Sequence, residues 1–180
     1  NGNYGATAPE YRRPSSVVDK SFGEAKAGGA DMLLTIPTMG WVARNDNQGA
    51  ESKGVPQGGG DAVASGSSAI PGYDPTANRQ RVSVRSLPRK GKPFNDPPDL
   101  NDDVVYQDEW VYHLTHKFGR ANAGGIRFYA MDNEPDLWDS THTDMHPVRM
   151  GYQETLEQFL TYSNAVKDVD GSDRKSTRLN

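Results

Sequence analysis

The chain has no cysteine. That removes a disulfide scaffold, a zinc–thiolate centre and a cysteine nucleophile in one step. It also lacks a long apolar run: no stretch approaches the roughly 18 uninterrupted apolar residues that a membrane-spanning helix needs, so no membrane partner is expected. Excess positive charge is missing too. The formal net charge is −4 over 180 residues, which argues against nucleic-acid binding by bulk electrostatics. Aliphatic residues are scarce. Leu, Ile, Val and Phe make up 30 of the 180 residues, near the disordered range. Yet 8 Tyr, 5 Phe and 3 Trp, with so small a net charge, are too much apolar material for a chain that stays unfolded throughout. The length allows one domain, but the apolar residues are unevenly spread. Together with a start at Asn1 without Met, this gives the expectation that the chain is part of something larger.

The last eight residues, Asp173 to Asn180, match codon by codon one frame of a widely used sequencing adapter (GAT CGG AAG AGC ACA CGT CTG AAC). They are read as a non-native tail and set apart from fold reasoning, as a cloning scar would be. An ordinary basic tail is the alternative.

The rest of the chain alternates helices and short apolar runs. Residues 16–28 read as a helix: Ser16 stands at a capping position, Asp19 follows three residues on, Val18, Phe22 and Ala25 share a face, and Gly28-Gly29 end it. Residues 31–36, ended by Pro37, show no clean alternation, as in a strand buried on both faces of a parallel sheet. From Arg44 to Asp103 the pattern collapses into a long Gly/Pro-rich loop insertion, with Val82-Ser83-Val84 as its one strand-like alternation. Order returns with a helix over 104–118, on which Val104, Val111, Leu114 and Phe118 fall on one face. A second buried strand is expected over 126–131, an acidic loop from Asp132 to about Gly151, and a final helix over 152–169 carrying Leu156, Phe159, Ser163 and Val166 inward. Strands separated by helices imply an α/β fold with parallel strands. Two strands cannot stand alone, so the pattern reads as consecutive units of a doubly wound sheet or a (β/α)8 barrel.

The segment that carries chemistry is Tyr129-Ala130-Met131-Asp132-Asn133-Glu134-Pro135. It puts Asn-Glu-Pro just past the C-terminal end of a buried parallel strand, where barrel enzymes project catalytic side chains. Asn-Glu at a strand exit marks the acid/base position of a large clan of retaining glycosidases. The wider match, Thr35-Ile36-Pro37-Thr38-Met39-Gly40-Trp41-Val42-Ala43 and the stretch AMDNEPDLWDSTHTDMHP from Ala130 to Pro147, resembles glycoside hydrolase family 44. The resemblance runs through most of residues 10–171.

That resemblance implies a partial (β/α)8 TIM barrel, about strands three and four with flanking helices, so that residues 1–172 are a fragment of a catalytic domain. It implies a secreted, monomeric endo-β-1,4-glucanase or xyloglucanase acting on a β-glucan polysaccharide with retention. Glu134 would be the general acid/base, and Asn133 would hydrogen-bond the sugar 2-hydroxyl. The nucleophile would be a second Glu at the exit of a seventh strand, matched by no residue of this chain. Retention needs an acid and a carboxylate about 5–5.5 Å apart, so the chain by itself is expected to be inactive. No organic cofactor is implied. Members of the family can bind calcium, which leaves a structural calcium ion open with no ligands assigned.

Other residues carry two readings each. Trp138 and Trp41 follow strand exits, where aromatic faces stack on sugars; core packing is the alternative for both. His142 and His146, four apart, could share a helix face as metal ligands, but Thr143 stands where a metalloprotease has Glu. The resemblance places this pair among cleft-shaping residues, with His142 a substrate contact. Asp132, Asp136, Asp139 and Asp144 fit no EF-hand spacing and read as a solvated acidic rim. Gly58-Gly59-Gly60 lacks the Lys-Ser/Thr of a phosphate loop. Arg79, Arg81, Arg85, Arg89 and Lys90 read as a solvated basic run. Two rival functions remain open: another retaining glycosidase of the clan, such as a mannanase or xylanase, and a non-catalytic carbohydrate-binding barrel.

Overall fold

A computed structural model describes residues 16–43, 73–74, 79–80, 83–99, 104–142, 145–146, 148–172 and 174–175. Helix α1 (Ser16–Ala27) is followed by strands β1 (Leu33–Ile36), β2 (Trp41–Ala43), β3 (Tyr73–Asp74), β4 (Arg79–Gln80), β5 (Ser83–Leu87) and β6 (Val104–Tyr106). Helix α2 (Gln107–Phe118), strand β7 (Phe128–Met131), the short helix α3 (Trp138–Thr141), helix α4 (Tyr152–Val169) and strand β8 (Arg174–Lys175) complete the order.

The α/β class holds. Strands β1 and β7 pair in parallel over Leu33–Phe128 to Ile36–Met131, with α2 on the connection between them. The described residues form three small sheets: β1-β7-β8, β2-β5-β6 and the β3-β4 pair. No closed barrel is present among them. Arg174 and Lys175 run parallel to β7, so two residues of the segment expected outside the fold extend its sheet.

The main core follows from helical periodicity. In α2, Val111 and Leu114 are spaced to share a face, and in α4 Tyr162, Ala165, Val166 and Val169 do the same. These residues close on Leu34, Ile36, Ile126 and Tyr129. The first turn of α2 carries Asp108 and Glu109 and its last turn His116 and Lys117, the charge order that opposes the helix dipole. At the end of α1, Gly28 N–H donates to Glu24 O at 3.0 Å, and Gly29 takes φ +69°, a turn that glycine adopts without a Cβ penalty. Gly125 is needed for close approach: a Cβ there would lie 1.9 Å from the carbonyl oxygen of Gly119.

Three expectations are corrected. The first strand is not buried on both faces: Leu34 and Ile36 are covered, while Leu33 is 51% exposed and Thr35 is exposed. The helices lie against one side only, and nothing among the described residues covers the other. Residues 104–106 are strand, not helix. Val104 and Val105 are β-branched, and the backbone finds a parallel partner in Arg85–Leu87. Inside the expected loop from Arg44 to Asp103, Ser83 and Val84 of the strand-like alternation do fall in a strand, β5, which joins β2 to β6; most of that segment, with Gly58-Gly59-Gly60, lies outside the described residues. In α4, Ser163 and Val166 are buried as expected, while Leu156 and Phe159 are only half-buried and Tyr162, Ala165 and Val169 are buried in addition.

The basic run is also not simply solvated. The Arg85 guanidinium lies 4.8 Å from the centre of the Trp41 ring. Arg89 pairs with Asp168, and Lys90 Nζ meets the buried Glu109 carboxylate at 2.5 Å. The Asp108 carboxylate accepts from the backbone N–H of Lys90 at 2.9 Å and of Gly91 at 3.1 Å. Thus the segment after β5 is tied down by the acidic first turn of α2.

Candidate active site at two strand exits

Because β1 and β7 are parallel and in register, both chains leave the sheet on the same side. The β1 exit carries Pro37-Thr38-Met39, and the β7 exit carries Asp132-Asn133-Glu134. Asp132 N–H donates to Ile36 O at 2.8 Å and so extends the ladder by one bond. Its carboxylate then reaches across: Oδ2 accepts from the backbone N–H of Thr38 at 2.6 Å and from Thr38 Oγ1 at 3.3 Å. Oδ1 accepts from Asn133 N–H at 2.8 Å.

Asp132 and Glu134 both take left-handed backbone, with φ of +59° and +47°. Non-glycine residues rarely adopt it, and it costs about 1–3 kcal/mol where it is enforced. The reversal lifts the chain out of the sheet. Glu134 is exposed, its carbonyl accepts from Leu137 N–H at 3.0 Å, and Pro135 opens a short 3-10 turn over 135–137. Asn133 is exposed as well, with Nδ2 at 3.5 Å from Glu134 Oε2. An amide donor and a carboxylic acid therefore stand side by side, open to solvent, at the end of a parallel strand. That pair can hydrogen-bond a hydroxyl and exchange a proton with a neighbouring oxygen.

The aromatic expectations divide. Trp138 is 1% exposed and packs with Met39, Met145 and Met150 in a second apolar cluster. It has no free face for a sugar, so core packing replaces the cleft reading. Trp41 is half-buried against the same cluster, with Arg85 over its ring.

The histidines divide as well. His146 is 7% exposed, sits edge-on to Trp138 with centroids 5.4 Å apart, and its Nε2 meets Glu154 Oε1 at 2.8 Å. His142 ends α3 and is exposed, with Nδ1 at 2.8 Å from Thr141 Oγ1. Desolvation pushes its pKa below the ordinary imidazole value, and the Asp132 carboxylate pulls the other way. Among the described residues no group of three or more His, Asp or Glu could hold a metal ion. Both Asp132 oxygens accept from protein donors; Asp144 lies outside the described residues.

Beneath the exits, Tyr162 Oη donates to Ser86 O at 2.8 Å. Burial pushes its phenol up to about 12, with Arg85 opposing and Asp132 reinforcing. Ser86 N–H donates to Gly40 O at 2.8 Å, and Gln107 Nε2 donates to Ser86 Oγ at 2.8 Å. This network joins the β2-β5-β6 sheet to the β1 exit. Sequence reasoning missed it, as it missed the Asp132–Thr38 link, because the partners lie far apart in the chain.

The family model for glycoside hydrolase family 44 matches residues 6–175. Endoglucanase A of Paenibacillus lautus is 31% identical over 170 residues, 94% of this chain and 21% of that protein. The β-mannanase/endoglucanase A of Caldicellulosiruptor saccharolyticus is 30% identical over 169 residues, 93% of this chain and 11% of that one. A Paenibacillus polymyxa family 44 xyloglucanase, solved with xyloglucan, superposes with a TM-score of 0.73 at 30% identity, covering 94% of this chain and 29% of that one. A family 44 endoglucanase from Clostridium thermocellum gives 0.75 at 28% identity, covering 96% and 30%. The chain thus spans between about a tenth and a third of the length of these relatives.

Proposed function

The chain belongs to glycoside hydrolase family 44, and from that premise we propose that it supplies the acid/base half of a retaining site for internal β-1,4-glucosidic bonds in xyloglucan or cellulose-like polymers. Glu134 protonates the leaving oxygen and later deprotonates the attacking water. Asn133 donates to the 2-hydroxyl of the sugar at the cleavage point. The observation that carries this reading is the exposed Asn133-Glu134 pair, lifted from a parallel strand exit by two left-handed residues. The names of the relatives, which include endoglucanases and a xyloglucanase, agree with it.

Retention needs a second carboxylate about 5–5.5 Å from the first. The family resemblance assigns that nucleophile to a seventh barrel strand, which this chain does not contain, with β1 and β7 as the third and fourth. The open face of β1 at Leu33 and Thr35 suits a strand whose inner side is filled by other barrel strands. The polymer substrate would be met outside the cell.

Residues 6–175 grafted in place of the matching stretch of the Paenibacillus polymyxa xyloglucanase should give an active chimera. In it, Glu134→Gln should lower xyloglucan hydrolysis by roughly 10²–10⁴-fold, and far less for an aryl glycoside whose leaving group needs no proton. An unchanged rate on xyloglucan sinks the assignment of Glu134. The 180-residue chain alone should release no reducing sugar; turnover by it would overturn the division of the two carboxylates.

A further inference from the structure

We infer that Asp132 is the positioning residue of this site: its carboxylate bolts the exit of β7 to the exit of β1 and thereby fixes where Asn133 and Glu134 stand. The inference rests on the acid/base reading of Glu134.

Three observations meet at Asp132. Its backbone is held in the left-handed region and its N–H is bonded to Ile36 O, so the side chain is carried from the β7 edge toward β1. Oδ2 accepts the 2.6 Å bond from the Thr38 N–H, 94 residues away, and Thr38 is itself buried. Oδ1 accepts from the N–H of Asn133, the next residue. One side chain thus grips an anchored backbone on one strand and the first residue of the functional pair on the other.

Charge-assisted bonds from N–H to carboxylate are about twice as strong as neutral ones. Here they offset the cost of two left-handed residues around Asn133. Without the carboxylate, the turn would keep the Asp132 N–H bond to Ile36 O and the Pro135–Leu137 segment, but among the described contacts nothing would tie Asn133 N–H or link the reversal to Thr38. Asn133 and Glu134 would then sample extended backbone, which costs less. A proton donor that must lie within hydrogen-bond reach of a glycosidic oxygen loses effectiveness with such motion. Asp132 touches no substrate in this account; it acts through its neighbours.

The test needs no substrate, so it can fail separately from the acid/base reading. Amide NMR of the 180-residue chain is compared with its Asp132→Ala and Asp132→Asn variants. The Thr38 amide proton should lie well downfield, move upfield in Asp132→Ala, and fall between the two in Asp132→Asn, whose amide oxygen still accepts and which tolerates the left-handed turn. Fast-timescale order at Asn133 and Glu134 should drop in Asp132→Ala and be largely restored in Asp132→Asn, while the amides of Leu34 and Tyr129 keep their shifts. A Thr38 amide that ignores both variants overturns the inference. So does equal order at Asn133 and Glu134 in all three proteins, or a loosening spread evenly over β1 and β7, which a merely structural role would give. Should Asp132→Ala fail to fold, the Asp132→Asn comparison alone decides by the same signs. If order at 133–134 follows Asp132 while Glu134→Gln leaves hydrolysis untouched, the positioning stands and the acid/base reading falls.

Discussion

The foot and the exit of the same two strands are built from opposite materials. Below, Leu34, Ile36 and Tyr129 are sealed by Val111, Leu114 and Val166. The cluster itself is apolar, with the Asp31–Arg127 ion pair (2.6 Å) at the rim where the two strands begin, and its stability comes from area removed from water. Above, from the half-buried Asp132 to the exposed Asn133 and Glu134, the chain is polar and twice left-handed. It is held by hydrogen bonds to a neighbouring strand exit. The lower region tolerates exchange of one apolar group for another of like volume. The upper region fixes identities, because each atom has a named partner. Fold and chemistry are thus separable along a few residues of one strand, and substitutions should divide them.

The largest effects are expected in the two buried apolar clusters. Trp138→Ala should cost about 3–5 kcal/mol in denaturant unfolding, the usual penalty for emptying a buried aromatic site. A cleft platform would instead lose sugar affinity at unchanged stability, and that outcome would make Trp138 a sugar contact and not a core residue. Ile36→Ala, at a position with no exposure, should cost about 2–5 kcal/mol. Leu33→Ala, in register with Phe128 at the exposed face of β1, should fall within about 0.5 kcal/mol. Equal penalties for the two would mean that both faces of β1 are covered in solution.

Tyr162→Phe sits between the regions. Removing its hydroxyl leaves the Ser86 carbonyl with one donor fewer and should cost about 1–3 kcal/mol. The pH dependence has a definite sign. The phenol is raised in the folded state to about 12 from 10.0, so the unfolded chain ionises first. Its contribution is full below pH 10 and is lost as pH climbs from 10 toward 12. Urea midpoints of wild type and Tyr162→Phe should therefore converge over that window. A gap that widens would contradict the buried assignment. The smallest effect belongs at the strand exit: Glu134→Gln should change stability by no more than about 0.5 kcal/mol, and a loss of several would make Glu134 a structural residue.

How much of this was legible depended on the range of the signal. The Gly28-Gly29 stop, the α4 bounds and the parallel β1–β7 pair followed from local spacing and apolar runs. So did the place of Asn133-Glu134, since an apolar tetrad followed by Asp-Asn-Glu-Pro is a strand leaving a sheet. Residues 104–106 misled because Val104 fits the helical period of Val111 and Leu114. Their strand partner, β5, is distant in sequence. Trp138 misled because a tryptophan after a strand exit suits a cleft and a core equally until the α3 turn decides its direction.

The amino-acid order on its own determined the alternation of helix and strand, the family, and the position of one exposed carboxylic acid beside an amide. These rest on periodicities and neighbours within a few residues. Only the tertiary structure decided that Asp132 grips Thr38, that Trp138 is enclosed by methionines, and that Lys90 reaches the buried Glu109. Each of these joins distant parts of the chain. Such pairings are fixed when the backbone closes and low-dielectric surroundings leave every buried polar group in need of a partner.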